Sequence, residues 1–135
     1  MAVTGGVKRV LLTGATGFIC PLLARLIESE GLDVATIVRP GAYRWRLADI
    51  EPRLSLIRGD LRAFAGMLDK IRLHRPEICI HPARDGSSGK AEAETNLSSL
   101  GVSIDVPPAM VEVPCGRLVA AGTCFEVRSR TCRSR

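Results

Sequence analysis

Val10-Leu11-Leu12-Thr13-Gly14-Ala15-Thr16-Gly17-Phe18-Ile19-Cys20 is the stretch on which the fold turns. Arg9 to Thr13 reads as a short buried strand that Gly14 ends. A helix fits Phe18 to Ser29, with Leu22, Leu23, Leu26 and Ile27 on one stripe at helical spacing. Pro21 is tolerated there because the first helical turn has unpaired N–H groups anyway. A glycine-rich turn between a buried strand and an amphipathic helix can cradle a pyrophosphate. Gly14 permits the tight bend and Gly17 lets the backbone approach the phosphates. The amides flanking Ala15 and Thr16, with the positive end of the helix dipole, supply the donors. The plainer alternative is a strand-to-helix turn without a ligand.

Outward from this stretch, apolar runs alternate with helix-length segments. Val34 to Val38, Leu54 to Arg58, Glu77 to His81 and Leu118 to Ala121 read as four further strands. Ala63 to Leu73 suits a helix whose apolar face is Phe64, Met67, Leu68 and Ile71. Ala91 to Leu100 is good helix material, but Gly101 and Pro107-Pro108 break its continuation. A helix crossing the prolines would lose about 3 kcal/mol or more, so a short helix followed by an irregular segment is expected. Strands that are apolar throughout and separated by helices indicate a parallel sheet covered on both faces, in an α/β, doubly wound arrangement of about five strands.

Composition narrows the class. The 135 residues are 46% hydrophobic and 24% charged, with 13 Gly and 8 Pro, which excludes a disordered or fibrous chain. No apolar run approaches the roughly 18–20 residues that a bilayer span needs, and no signal pattern opens the chain. A soluble, cytoplasmic protein without a membrane partner is the expectation. The formal charge of +5 belongs to the end of the chain: residues 128–135 hold four Arg and no acid, and without them 15 basic residues face 14 acidic ones. We therefore expect a domain over residues 1–127 and a basic, disordered tail over 128–135, with no nucleic-acid partner. Cys20, Cys79, Cys115, Cys124 and Cys132 are odd in number and lack the spacing of a metal knuckle or redox pair, so no metal site and no disulfide framework are expected. Cys20 and Cys79, in apolar contexts, are expected to be buried thiols.

Thr13-Gly14-Ala15-Thr16-Gly17-Phe18-Ile19 resembles the N-terminal fingerprint of the NAD(P)-dependent epimerase/dehydratase family, within the extended short-chain dehydrogenase/reductase superfamily. The resemblance implies a Rossmann-like domain, with Gly14, Thr16, Gly17, Phe18 and Ile19 against the cofactor. The family's third fingerprint glycine, which serves close helix-to-strand packing, is Cys20 here. At the end of the second strand, where the family reads the adenosine ribose, the chain has Val38-Arg39. Arg39 is placed to pair with a 2′-phosphate, with Arg44 and Arg46 available to assist, so the resemblance implies NADP, NAD remaining possible. Gly59-Asp60-Leu61-Arg62 looks like the family's step after the third strand, where Asp60 and Leu61 contact adenine. Asp60 also reads as a helix N-cap, and one residue can do both. Ile80-His81-Pro82-Ala83-Arg84 is similar to a segment lining the cofactor, which brings in His81 and Ala83. Pro82 departs from the pattern, and His81 equally reads as a strand-end histidine held by hydrogen bonds. Asn96 matches a helix asparagine that supports the active-site backbone, or is a plain exposed residue.

Leu118 to Glu126 resembles the fifth strand and Ser/Thr turn of these enzymes. Thr123 would hold the catalytic serine position there, touching a substrate hydroxyl or carbonyl during hydride transfer; a plain turn residue is the rival reading. The wording Gly-Thr-Cys-Phe-Glu looks most like nucleotide-sugar reductases and epimerases. The family's proton donor and cofactor clamp are a Tyr-x-x-x-Lys pair beyond this point. Only twelve residues follow Thr123, none of them Tyr or Lys. The expectation is therefore a truncated nucleotide-sugar epimerase/dehydratase-like chain, about two-fifths of a family member, that binds the dinucleotide and does not by itself catalyse. The alternative is a non-catalytic NADP-binding or sensing module that associates with a partner through the unpaired sheet edge.

Overall fold

The computed structural model describes Gly6, residues 9–82 and residues 94–121. Five strands form one parallel sheet: β1 (Arg9–Leu12), β2 (Asp33–Val38), β3 (Ser55–Arg58), β4 (Ile78–His81) and β5 (Arg117–Ala120), in the spatial order β3-β2-β1-β4-β5. Three α-helices accompany them: α1 (Cys20–Ser29), α2 (Leu68–His74) and α3 (Glu94–Glu112). The chain moves outward from β1 to β3, then crosses back to β4 and β5. The order reverses between β1 and β4, and the crevice at their carboxyl ends is where open α/β sheets take ligands.

The inner strands β1, β2 and β4 are covered on both sides, which is why they are apolar at successive residues rather than alternate ones. Leu11, Ala35, Ile37, Ile57 and Cys79 face a core closed by Phe64, Met67 and Ile71, together with Val102, Val106 and Met110 of α3. Val10, Leu12 and Val34 face the opposite core, with Ala24 and Ile27 of α1, and Leu47, Ile50 and Leu54 from the β2–β3 connection. β5 lies at the sheet edge with Val119 half exposed.

Two sequence expectations are corrected. The buried face of α1 is Cys20, Pro21, Ala24 and Ile27, whereas Leu22 and Leu26 are exposed at 65% and 59%. The small Ala24 lets the helix approach the sheet, and that closeness rotates the leucines outward. The second concerns Pro107 and Pro108, which lie inside α3 rather than ending it. Val102, Val106, Ala109, Met110 and Val113 recur at helical spacing and are all buried. Their anchorage holds the helix while both prolines sit on its exposed side, so the missing N–H bonds fall where water reaches.

The segment expected to be one helix over Ala63 to Leu73 begins as a 3₁₀ stretch, Leu61–Met67, with a kink at Ala63, and becomes α-helical only at Leu68. Its expected apolar face holds: Phe64, Met67 and Ile71 are buried and Leu68 packs against them. No helix among the described residues is long and apolar enough to cross a membrane.

Candidate dinucleotide site

The site begins where β1 stops. The Thr13 amide donates to the Ile80 carbonyl at 3.0 Å, prolonging the β1–β4 ladder by one bond. Gly14 then turns the chain with φ +72°, a left-handed conformation that costs an L side chain about 1–2 kcal/mol. The Gly17 amide closes the turn on the Gly14 carbonyl at 3.0 Å. A Cβ on Gly17 would stand 3.2 Å from that same oxygen, so the bend is tight at both glycines. Ala15 is wholly buried in the α1-side core and pins the loop from beneath.

Among the described residues, the amides of Ala15, Thr16, Phe18 and Ile19 donate to no carbonyl. The first turn of α1 has no acidic residue, and no side chain caps it. The helix therefore presents its positive end and several unclaimed N–H groups at the carboxyl edge of the sheet, the chemistry that receives a phosphate. Pro21 sits in the first turn, where it removes a donor that the helix does not use. Cys20 stands where the fingerprint wants glycine, yet it is 7% exposed and α1 runs on regularly from it. Its side chain is accommodated in a buried position, and burial pushes the thiol pKa up. Phe18 and Ile19 project outward, 81% and 70% exposed.

The arginines after β2 divide into two kinds. Arg44 is committed to Glu51 at 2.6 Å. Arg39 is exposed, and its guanidinium has no hydrogen-bond partner among the described residues. Arg46 reaches back to the glycine loop: one guanidinium nitrogen lies 3.4 Å from the Gly17 carbonyl. Its cationic carbon sits 4.7 Å from the Trp45 ring centre and 5.7 Å from that of Phe18, distances at which a cation is attracted to an aromatic face. Arg25 of α1 fastens this connection by donating to the Arg46 carbonyl and to Asp49.

Gly59 donates to the Val38 carbonyl at 3.0 Å, which carries Asp60 to the end of β2. A side chain on Gly59 would run into Met67, whose Cγ would lie 2.6 Å away. Asp60 caps the following 3₁₀ stretch by accepting from the Arg62 amide at 2.9 Å. The Arg62 guanidinium beside it, assisted by more distant Arg39, holds the Asp60 carboxyl down to about 2. Leu61 packs half-buried against the α3-side core.

At the end of β4, His81 is 3% exposed, and Nδ1 is hydrogen-bonded to the Thr13 hydroxyl at 2.8 Å. Its Nε2 has no partner among the described residues, and desolvation lowers its pKa. The structure places Gly14, Thr16, Gly17 and His81 at the carboxyl ends of β1 and β4, with Phe18 and Ile19 turned to solvent, and Asp60 and Arg39 at the neighbouring ends of β3 and β2. Ala83 and Thr123 lie outside the described residues, as do Arg84 and residues 128–135. Asn96 falls within α3, its side chain outside the description. Among the described residues, no three His, Cys, Asp or Glu side chains are grouped to hold a metal ion.

Sequence reasoning missed the Thr13–His81 bond, the Arg62 grip on Asp60 and the seating of Arg46. The first had a faint signal, two polar residues ending adjacent apolar strands. The other two depend on rotamers, which spacing does not show.

A parallel sheet with a reversal of strand order and a glycine turn at the reversal defines a Rossmann-type nucleotide-binding fold. The sequence profile of the NAD dependent epimerase/dehydratase family matches residues 10–127, and the chain belongs to that family. No curated protein sequence matches it significantly. Among solved structures, the Bordetella bronchiseptica enzyme WbmG in complex with NAD superposes with a TM-score of 0.72 at 21% identity, over 89% of this chain and 39% of that one. The Thermotoga maritima UDP-glucose 4-epimerase with UDP-glucose gives 0.72 at 18% identity, over 86% and 38%. The Thermus thermophilus UDP-glucose 4-epimerase complex with NAD gives 0.67 at 25% identity, over 82% and 36%. The chain thus spans less than two-fifths of the length of these structures.

Proposed function

We propose that this chain is the dinucleotide-binding part of a nucleotide-sugar epimerase/dehydratase-type oxidoreductase, with NADP its preferred cofactor. The observation that carries the reading is the glycine turn at the strand-order reversal, with unclaimed amides and an uncapped helix start. The similar WbmG and Thermus epimerase structures hold NAD, and the Thermotoga epimerase holds UDP-glucose, which supports a nicotinamide dinucleotide and a nucleotide-sugar. When bound, the nicotinamide supplies hydride exchange. The chain's own part is to seat the diphosphate on the Ala15–Ile19 backbone, the adenine at Asp60-Leu61 and the ribose near Arg39. His81 and Ala83 would border the cofactor, and Thr123 would meet the substrate.

The preference for NADP rests on Arg39, an exposed guanidinium with no hydrogen-bonded carboxylate among the described residues. Arg46 is the better-placed assistant because Arg44 is neutralised by Glu51. Calorimetric titration of NADPH and NADH tests this. The wild-type chain should favour NADPH by tenfold or more. Arg39→Gln should erase that preference while leaving NADH affinity unchanged. Equal binding of both by the wild type would return the assignment to NAD.

Without a Tyr-x-x-x-Lys pair among its 135 residues, the chain alone is proposed to bind cofactor without reducing or epimerising a sugar. A non-catalytic binding module is the second reading, favoured by the outer edge of β5 and half-exposed Val119, where a partner strand would fit. A monomer at high concentration in sedimentation would remove it.

A further inference from the structure

Asp60 is the carboxylate to which the proposed reading assigns the adenine amino group, yet Arg62 already engages both of its oxygens. Oδ1 accepts from the Arg62 amide at 2.9 Å and from Arg62 Nε at 3.1 Å. Oδ2 accepts from Nε at 3.2 Å and from Nη2 at 2.7 Å. A carboxylate offers about four lone-pair directions, and three N–H donors of one residue, Nε–H shared between both oxygens, engage most of them. These contacts differ in kind. The amide bond caps the 3₁₀ stretch and is tied to the backbone. The guanidinium bonds come from a side chain that is 64% exposed, so water competes for them and they can be given up.

We propose that Arg62 is a built-in competitor for adenine at Asp60: the base is admitted by exchange of its amino group for the Arg62 guanidinium, while the Arg62 amide stays in place. This rests on the dinucleotide reading and adds a property to it. The site selects a ligand with a hydrogen-bond donor at this edge of the base, because only a donor can replace a donor. A base with a carbonyl there would turn its oxygen toward the carboxylate and offer only its ring N1–H, so it would release Arg62 less readily. Asp60 stays ionised through the exchange, since Arg39 also favours its charged form.

The test uses the full chain and two dinucleotides, NADPH and its hypoxanthine analogue, in which the adenine amino group is a carbonyl. Titration calorimetry should show Arg62→Gln binding NADPH about threefold more tightly than the wild type, with a smaller gain for the hypoxanthine analogue. Arg62→Lys, which keeps the charge but cannot grip both oxygens, should fall between. Thermal melts within a few degrees of the wild type establish that both variants are folded. NADPH affinity that is unchanged or lower in Arg62→Gln overturns the proposal. A wild-type chain that binds neither dinucleotide overturns the underlying reading and this one with it, whereas normal binding insensitive to Arg62 overturns this one alone.

Discussion

Thr13 and His81 close the carboxyl ends of the two central strands on each other, hydroxyl to Nδ1 at 2.8 Å, with neither side chain more than 3% exposed. The bond lies where the sheet changes direction, one residue before the glycine turn. It joins the strand that launches the glycine loop to the strand beside it. Thr13→Val removes the hydroxyl at nearly constant shape and leaves both His81 ring nitrogens without a partner. The loss should be about 1–3 kcal/mol, read as a lower urea midpoint at pH 7.5, with weaker dinucleotide binding because the loop's anchor has loosened.

The same histidine sets a pH dependence. Burial holds the native His81 pKa below its ordinary 6.5, so the unfolded chain takes up this proton more readily than the native one. Stability is therefore undiminished above pH 6.5 and falls as the pH drops below that value toward the native pKa. Asp60 acts lower: its pKa near 2, against an ordinary 3.8, gives stability that is present above 3.8 and lost between 3.8 and 2. Urea unfolding at pH 7.5 and 5.5 should show a decline that His81→Gln flattens. An unaltered slope in that variant would assign the titration elsewhere.

Gly14→Ala should cost about 1–2 kcal/mol, because a Cβ is strained at a backbone φ of +72°. It should also remove dinucleotide binding, since relaxing the strain redirects the amides that follow. Gly17→Ala differs in kind: its Cβ would press on the Gly14 carbonyl at 3.2 Å, so binding should weaken more than stability does. Melting temperature and NADPH affinity, measured on both variants, separate the two effects.

The prolines of α3 make the opposite prediction. Each interior proline costs a helix about 3 kcal/mol relative to alanine, while alanine gives back about 0.4–1 kcal/mol through a freer unfolded chain. The helix effect is larger, so Pro108→Ala should stabilise the protein by about 2 kcal/mol. A lower melting temperature in this variant would mean that α3 is bent at the prolines to fit its groove.

Thiol labelling reports on the packing of Cys20 and Cys79. Cys79 is fully buried, and desolvation, with a smaller contribution from Cys115, raises its pKa to about 12. Neither Cys20 nor Cys79 should react with a disulfide reagent at pH 8 until the chain unfolds, whereas Cys115, partly exposed, should react in the native state. Mass spectrometry of the labelled peptides distinguishes them. Rapid native labelling of Cys79 would contradict the closed core.

The strands were legible because a sheet covered on both faces demands unbroken apolar runs, and each run such as Val34 to Val38 stands between polar or glycine punctuation. The glycine turn was legible because its position between a strand and a helix carries more information than its glycines. α3 was misread because local propensity counts the two prolines and cannot weigh five buried side chains on the opposite face. Of the expected α1 stripe, Leu23 and Ile27 do pack inward, whereas Leu22 and Leu26 were misassigned because the neighbouring Cys20, Pro21 and Ala24 offer a smaller buried face. The Arg62 grip on Asp60 and the stacking of Arg46 escaped because long side chains have several rotamers, and neighbours select among them.

Arg46 lies against Trp45 on one side and the glycine loop on the other, and Trp45 is the chain's sole tryptophan. The protein thereby carries one intrinsic fluorophore in contact with the part of the molecule that a phosphate would disturb. An anion that draws the guanidinium away changes the indole's surroundings, so occupancy can be followed by emission alone, without a label or a coupled assay.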